Sequence, residues 1–219
     1  MIAELEKFNN IRHMYLLNYR EIFQHWDHSD SALYTIVVSD HQKNGSLNDS
    51  GFVLNEERLR VILAQVTDAL LTVHRSQLSH NNVKITNIYL DQQGYALLGD
   101  FLPMSALLYR KDRRLNAQNT TPLGGEQNDI HSLGYILKQL IANGKFSNEL
   151  SDAAEKLTTA SESLQSLVDS TPYLTSALQN INSRYVVPNP LQHSSTVARV
   201  PSQLGVPGIL SYMKSKRYV

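Results

Sequence analysis

Apolar residues recur along the chain at two spacings, and the change from one to the other marks out its elements. In Met1–Asn10 the apolar positions Ile2, Leu5 and Phe8 lie three apart with charges between them, which predicts a short helix. Asn18–Trp26 and Ala32–Ser39, rich in Tyr, Ile, Phe and Val, predict two strands joined by the polar turn Asp27–Ser31. Leu59, Ile62, Leu63, Val66, Leu70 and Val73 then form one face of a long helix that ends near His74–Ser76. Asn55 is its N-cap, and Glu56 and Glu57 place acids at the positive end of its dipole. A short strand Ile88–Leu90, a turn at Asp91–Gly94 and a strand Tyr95–Gly99 follow. Ile130, Leu133, Ile136, Leu137 and Leu140 predict a second long helix stopping at Asn143-Gly144. Ser147–Leu157 and Ser161–Ser170 read as shorter amphipathic helices, and Pro188, Pro190, Pro201 and Pro207 predict an extended tail beyond Asn182.

Composition narrows the class. The 219 residues carry 20 basic and 20 acidic side chains, so the formal net charge is zero. That balance argues against nucleic acid or a membrane surface as the general partner of the fold. The absence of cysteine excludes disulfides and thiolate zinc sites. No apolar run approaches the ~20 residues of a membrane helix, and no cleavable signal is visible at Met1, so a soluble cytoplasmic protein is expected.

The chemistry concentrates in Leu78–Phe101. His80-Asn81-Asn82-Val83-Lys84-Ile85-Thr86-Asn87, then the hairpin, then Asp100-Phe101-Leu102, resembles the catalytic centre of the protein kinases. That family carries His-Arg-Asp-x-x-x-x-Asn, a hairpin and Asp-Phe-Gly. A second motif, Asp129-Ile130-His131-Ser132-Leu133-Gly134, is similar to the kinase Asp-x-Trp-Ser-x-Gly that opens the buried central helix. The resemblance covers Met1 to about Leu174. It implies an α+β fold, with a mostly helical large lobe over 46–174 and a truncated small lobe over 1–45 comprising the regulatory helix and two or so strands. Residues 175–219 form a Pro-containing C-terminal extension in this reading. Ile11-Arg12-His13-Met14-Tyr15 resembles the exit from the regulatory helix, and puts Glu4 where the family's helix Glu pairs with a strand Lys. No such Lys, glycine-rich loop or first three strands can be found in the chain. Lys43-Asn44-Gly45-Ser46-Leu47 resembles the segment after the kinase hinge.

The departures carry the functional expectation. Asn81 stands for the Arg, Asn82 for the catalytic Asp and Leu102 for the Gly. An amide has no basic lone pair comparable to a carboxylate's, so Asn82 cannot take the substrate proton, a role typically worth ~10²–10⁴ in rate. The resemblance thus implies a pseudokinase: no catalytic residues, a regulatory or scaffolding role, and a protein partner that is an adjacent active kinase domain or a second copy of the chain. His80, Phe101 and Asp129 are structural anchors in this reading, with Asp129 binding the loop backbone near His80 and Asn81. Lys84, Asn87 and Asp100 are the nucleotide-binding candidates, and Asn87 with Asp100 would hold magnesium if ATP binds. No cofactor is expected. Ser215-Lys216-Arg217-Tyr218 is similar to the opening of the active domain of the general amino-acid control kinase, which places a degenerate kinase domain before its active one. That subtype implies translation control and stress response.

Three further features have competing readings. His25, His28 and His41 are metal-ligand types without a familiar spacing, against a His-rich surface turn. Arg110–Arg114 is a basic run that suits nucleic acid or an acidic partner, against a solvated loop. Lys84 suits a phosphate or a hydrogen bond within its loop. Two alternatives to the pseudokinase stay open: an atypical active Ser/Thr kinase using Asp100, Asn87 and Lys84, and a nucleotide-sensing module without transfer.

Overall fold

The computed structural model describes residues 1–184 apart from 30, 50–53, 105, 107–123, 143 and 145. The basic run at 110–114, the Asn143 helix stop and the tail prolines therefore lie outside the described residues. Helix α1 spans Ile2–Asn9 and buries Leu5 and Phe8. Strands β1 (Tyr19–Asp27) and β2 (Ala32–Ser39) form an antiparallel hairpin. Helix α2 (Glu56–Arg75) starts at Asn55, whose side chain accepts from Arg58 N. A 3₁₀ turn at Ile85–Asn87 leads into β3 (Ile88–Leu90), which pairs antiparallel with β4 (Ala96–Leu98). Helices α3 (Glu126–Ile141), α4 (Asn148–Thr159), α5 (Leu164–Ser170) and α6 (Pro172–Arg184) complete the described chain.

The core lies among the helices. Leu59, Ile62, Leu63, Val66, Leu70 and Val73 are buried as their spacing predicts, and Ile130, Leu133 and Leu137 of α3 join the same cluster. Gln65 is also buried, because its side-chain oxygen accepts from Ala96 N at 2.8 Å and so fixes β4 to α2. Helix α3 approaches α4 at Gly134, where a Cβ would stand 2.7 Å from Thr158 N.

Two of the expected boundaries lie within packed segments. The division at 174/175 falls inside α6, which continues to Arg184 and buries Ala177 and Ile181. Proline is favoured in the first helical turn, where its missing N–H has no partner to lose, so Pro172 starts this helix. The division at 45/46 also falls within a packed segment. Gly45 O accepts from Leu90 N, Leu47 N donates to Ile88 O, and Asn44 Nδ2 donates to Asp91 O, so 44–47 lie along β3 and its turn. The stretch between α1 and β1 is likewise tied to the large lobe: Leu98 N donates to Tyr15 O and Leu17 N to Leu98 O. Among the described residues the small lobe thus comprises one helix and one hairpin, joined by a stretch that pairs with β4.

Candidate functional site

The site is assembled where α2 ends, the loop 78–87 turns back, and α3 begins. Gln77 and Asn81 both adopt left-handed backbone, φ 58° and 62°, a region sparsely used outside glycine but tolerated by Asn. The reversal aims the backbone N–H groups of His80 and Asn81 at the buried start of α3. There Asp129 receives them, one on each carboxylate oxygen, both at 2.7 Å. His74 Nε2, from the last turn of α2, lies 3.0 Å from the same carboxylate. Asp129 is fully buried, so these contacts are its whole solvation.

His80 is also fully buried, and no side chain is hydrogen-bonded to either ring nitrogen. Its ring meets Phe101 and Phe8 edge-on, at 6.1 and 5.9 Å between centroids, while Phe8 and Phe101 stack at 4.3 Å. Burial pushes the imidazole pKa down to about 4, against the opposing pull of the Asp129 and Asp100 charges. A neutral ring packed against a stacked pair of phenyl groups is a structural element without access to substrate.

Asn81 points elsewhere. Its Nδ2 donates to Ser79 O at 2.9 Å and Leu102 O at 3.1 Å, and its Oδ1 accepts from Gly125 N at 2.8 Å. One amide thereby links the loop to both residues that flank 103–124. An arginine could supply only the donor half of that arrangement. Leu102 N completes the join by donating to His80 O.

Asn82, in place of the base, donates its Nδ2 to Asp100 O at 2.7 Å, and its own carbonyl accepts from Asn87 Nδ2 at 2.9 Å. The Asn87 side-chain oxygen accepts from Thr86 Oγ1 at 3.2 Å. Asp100 has φ 59°, and its carboxylate accepts from the Tyr89 hydroxyl at 2.6 Å. Burial, the hydrogen bond to Asp100 and the Asp100 charge together raise the Tyr89 pKa well above the ordinary phenol range. Tyr19 is shifted the same way, by burial first and the Asp100 charge second. Lys84 is exposed, and its carbonyl accepts from Asn87 N.

Magnesium needs several oxygens free to converge on it. Here the Asn87 amide donates to its own loop and Asp100 accepts from Tyr89 on one oxygen, so the second Asp100 oxygen and the Asn87 oxygen are the groups that would hold magnesium. Among the described residues no group of three or more His, Cys, Asp or Glu could hold a metal ion, which includes His25, His28 and His41. A cavity of about 480 Å³ lies away from the loop, lined by Tyr15, Arg60, Val61, Gln65, Tyr95 and Ile181 among others.

Tyr89, Tyr19 and His74 are site residues that sequence reasoning missed. The alternation in Ile88-Tyr89-Leu90 signals that Tyr89 faces away from its buried neighbours, but not that it faces Asp100. Glu4, on α1, is partly exposed.

A buried carboxylate at the head of a central helix, a His loop threaded over it and an Asp-Phe pair packed beneath define a protein kinase-like core. The family described as the protein kinase domain matches residues 1–195, and the chain belongs to it. Similar proteins include the L-type lectin-domain containing receptor kinase VIII.1 of Arabidopsis thaliana, 28% identical over 155 residues, covering 68% of this chain and 19% of that protein. NUAK family SNF1-like kinase 2 of Rattus norvegicus is 25% identical over 155 residues, 63% of this chain and 23% of its own length. An inactive leucine-rich repeat receptor-like serine/threonine-protein kinase of Arabidopsis thaliana is 28% identical over 130 residues, 48% of this chain and 20% of that protein. The chain spans about a fifth of the length of these relatives. No helix among the described residues is long and apolar enough to cross a membrane.

Proposed function

We propose that this kinase domain does not transfer phosphate and serves as a regulatory or scaffolding module for a protein partner. The observation that carries the reading is the engagement of the two positions on which kinase chemistry depends. Asn82 has no proton-accepting group and is bonded through its amide to the Asp100 carbonyl. The Asp100 carboxylate is bonded to the Tyr89 hydroxyl. Kinase catalysis consists almost entirely of positioning and charge stabilisation around a metal nucleotide. A loop hydrogen-bonded to itself in this way keeps the shape of that site while the proton acceptor is missing from it. One of the matched relatives carries the word inactive in its name, whereas others are named simply as kinases. The finer assignment, to a degenerate domain that activates an adjacent kinase in translation control, rests on residues 215–218, outside the described residues.

The test is phosphoryl transfer to a generic substrate with ATP and magnesium. No turnover above buffer background is expected, and Asn82→Asp should not restore it, because Asp100 stays bonded to Tyr89. Turnover in the unmodified chain that disappears in Asp100→Ala would overturn the proposal. The nucleotide-sensing alternative is separated by melting temperature. Binding at a hundredfold excess over Kd stabilises by ~2.7 kcal/mol, so a clear upward shift at millimolar ATP, lost in Asp100→Asn, would favour that reading instead.

A further inference from the structure

Tyr89 lies on the outward side of the small β3–β4 hairpin. Ile88 and Leu90 are buried, and so are Leu98 and Ala96 opposite them. Tyr89 opposes Leu97, so these two share the other face, and Gly99 follows two residues further along it. A Cβ on Gly99 would stand 3.0 Å from Tyr89 Cε2 and 3.0 Å from Leu17 Cδ2. The ring therefore lies against bare backbone, which a side chain at 99 would not permit. From there its hydroxyl reaches Asp100 and donates to Oδ2 at 2.6 Å. Among the described residues no other donor meets that carboxylate. A phenylalanine would cover Gly99 equally well, so what the hydroxyl adds is the bond to Asp100.

We infer that the Tyr89 hydroxyl is an internal competitor for Asp100 that holds down the affinity of this site for divalent cations. The groups that would hold a cation offer three side-chain oxygens, two on Asp100 and one on Asn87. Magnesium takes about six oxygen ligands and calcium about six to eight. The phenol proton lies on the Oδ2 lone pair that a cation bound by both carboxylate oxygens would use. One of three protein oxygens is thereby withdrawn, and more of the coordination shell is left to water. A hydrogen bond to a ligating carboxylate ordinarily supports a metal by orienting its ligand. Here the donor takes an oxygen from a set that is already short. The inference deepens the reading proposed above, and rests on its account of Asp100, by naming what restrains the site. Cation binding is measured without turnover. A chain that transferred phosphate could still show the competition, and an inactive chain could still lack it, so the two tests fail independently.

The test uses the full chain with manganese alone, a cation suited to carboxylate and carbonyl oxygens, whose unbound fraction is read by electron paramagnetic resonance. Tyr89→Phe keeps the ring on Gly99 and removes the hydroxyl. It should bind manganese at least about tenfold more tightly than the parent, the scale on which partners of a ligating carboxylate move metal affinity. The gain should vanish when Asp100→Asn is added, which assigns it to the carboxylate. Tyr89→Leu supplies a second variant without the hydroxyl, and circular dichroism matching the parent shows that each protein is folded. Equal affinity in the parent and both single variants, or no binding by any of them, would overturn the inference. So would weaker binding without the hydroxyl, or a gain that survives Asp100→Asn.

Discussion

Asp129 solvates three donors with one carboxylate, and removing it strands all of them in the interior. Each buried donor left unsatisfied costs ~1–3 kcal/mol. Asp129→Ala should therefore lower stability by several kcal/mol, whereas Asp100→Ala, whose carboxylate is partly exposed and meets one phenol, should cost ~1 kcal/mol. Denaturant midpoints of the two variants give the comparison, and the reverse order would remove Asp129 from its place as anchor. His80 makes a second prediction at this scale. Its pKa is held at about 4 in the fold against ~6.5 in the unfolded chain. Between those values the unfolded state binds the extra proton, so the contribution of His80 is complete above pH 6.5 and is lost as pH falls toward 4. The slope approaches ~1.4 kcal/mol per pH unit. Urea midpoints between pH 7 and 5 should fall more steeply for the parent than for His80→Leu. At this scale the sequence was only partly legible. Asp129, His80 and Phe101 could be placed because each occupies a motif position. The Tyr89–Asp100 and Asn81–Gly125 bonds join residues 11 and 44 apart through side-chain directions that no local pattern encodes.

Among the elements, α3 and α4 depend on the absence of a side chain. An added Cβ at Gly134 would meet Thr158 N, Thr158 Cγ2 and Leu157 C between 2.7 and 2.9 Å, two of them backbone atoms that cannot swing away. Gly134→Ala gains up to ~1 kcal/mol of helix propensity and loses more by forcing the helices apart, at ~1–3 kcal/mol for overpacking. A net loss of stability is expected; a thermal melt showing stabilisation would mean the helices separate at no cost. The N-cap of α2 and the strands β1 to β4 were legible because capping chemistry and alternation are local. Helix α6 was not. It lies across the end of the kinase resemblance at about Leu174, and the burial of Ala177 and Ile181 depends on where α2 happens to lie.

For the molecule as a whole, α6 belongs to the core although it comes after the kinase-like motifs. A chain ended at Leu174 would lose Ala177 and Ile181, with burial of an isoleucine alone worth about 1.5–3 kcal/mol. Native domains hold only about 5–15 kcal/mol in total. Such a truncation should abolish cooperative unfolding by circular dichroism; a sharp transition near that of the full chain would show the helix to be dispensable. The fold class was legible at this scale because two ordered motifs and their intervening elements agree.

Trp26 is the only tryptophan in the chain, and it sits half-exposed on the hairpin rather than among the helices. Intrinsic fluorescence will consequently report the small sheet and leave the melting of the helical lobe almost unseen. An emission curve and a circular-dichroism curve that disagree would then reveal two observers stationed in different parts of the molecule, before any need to invoke a folding intermediate.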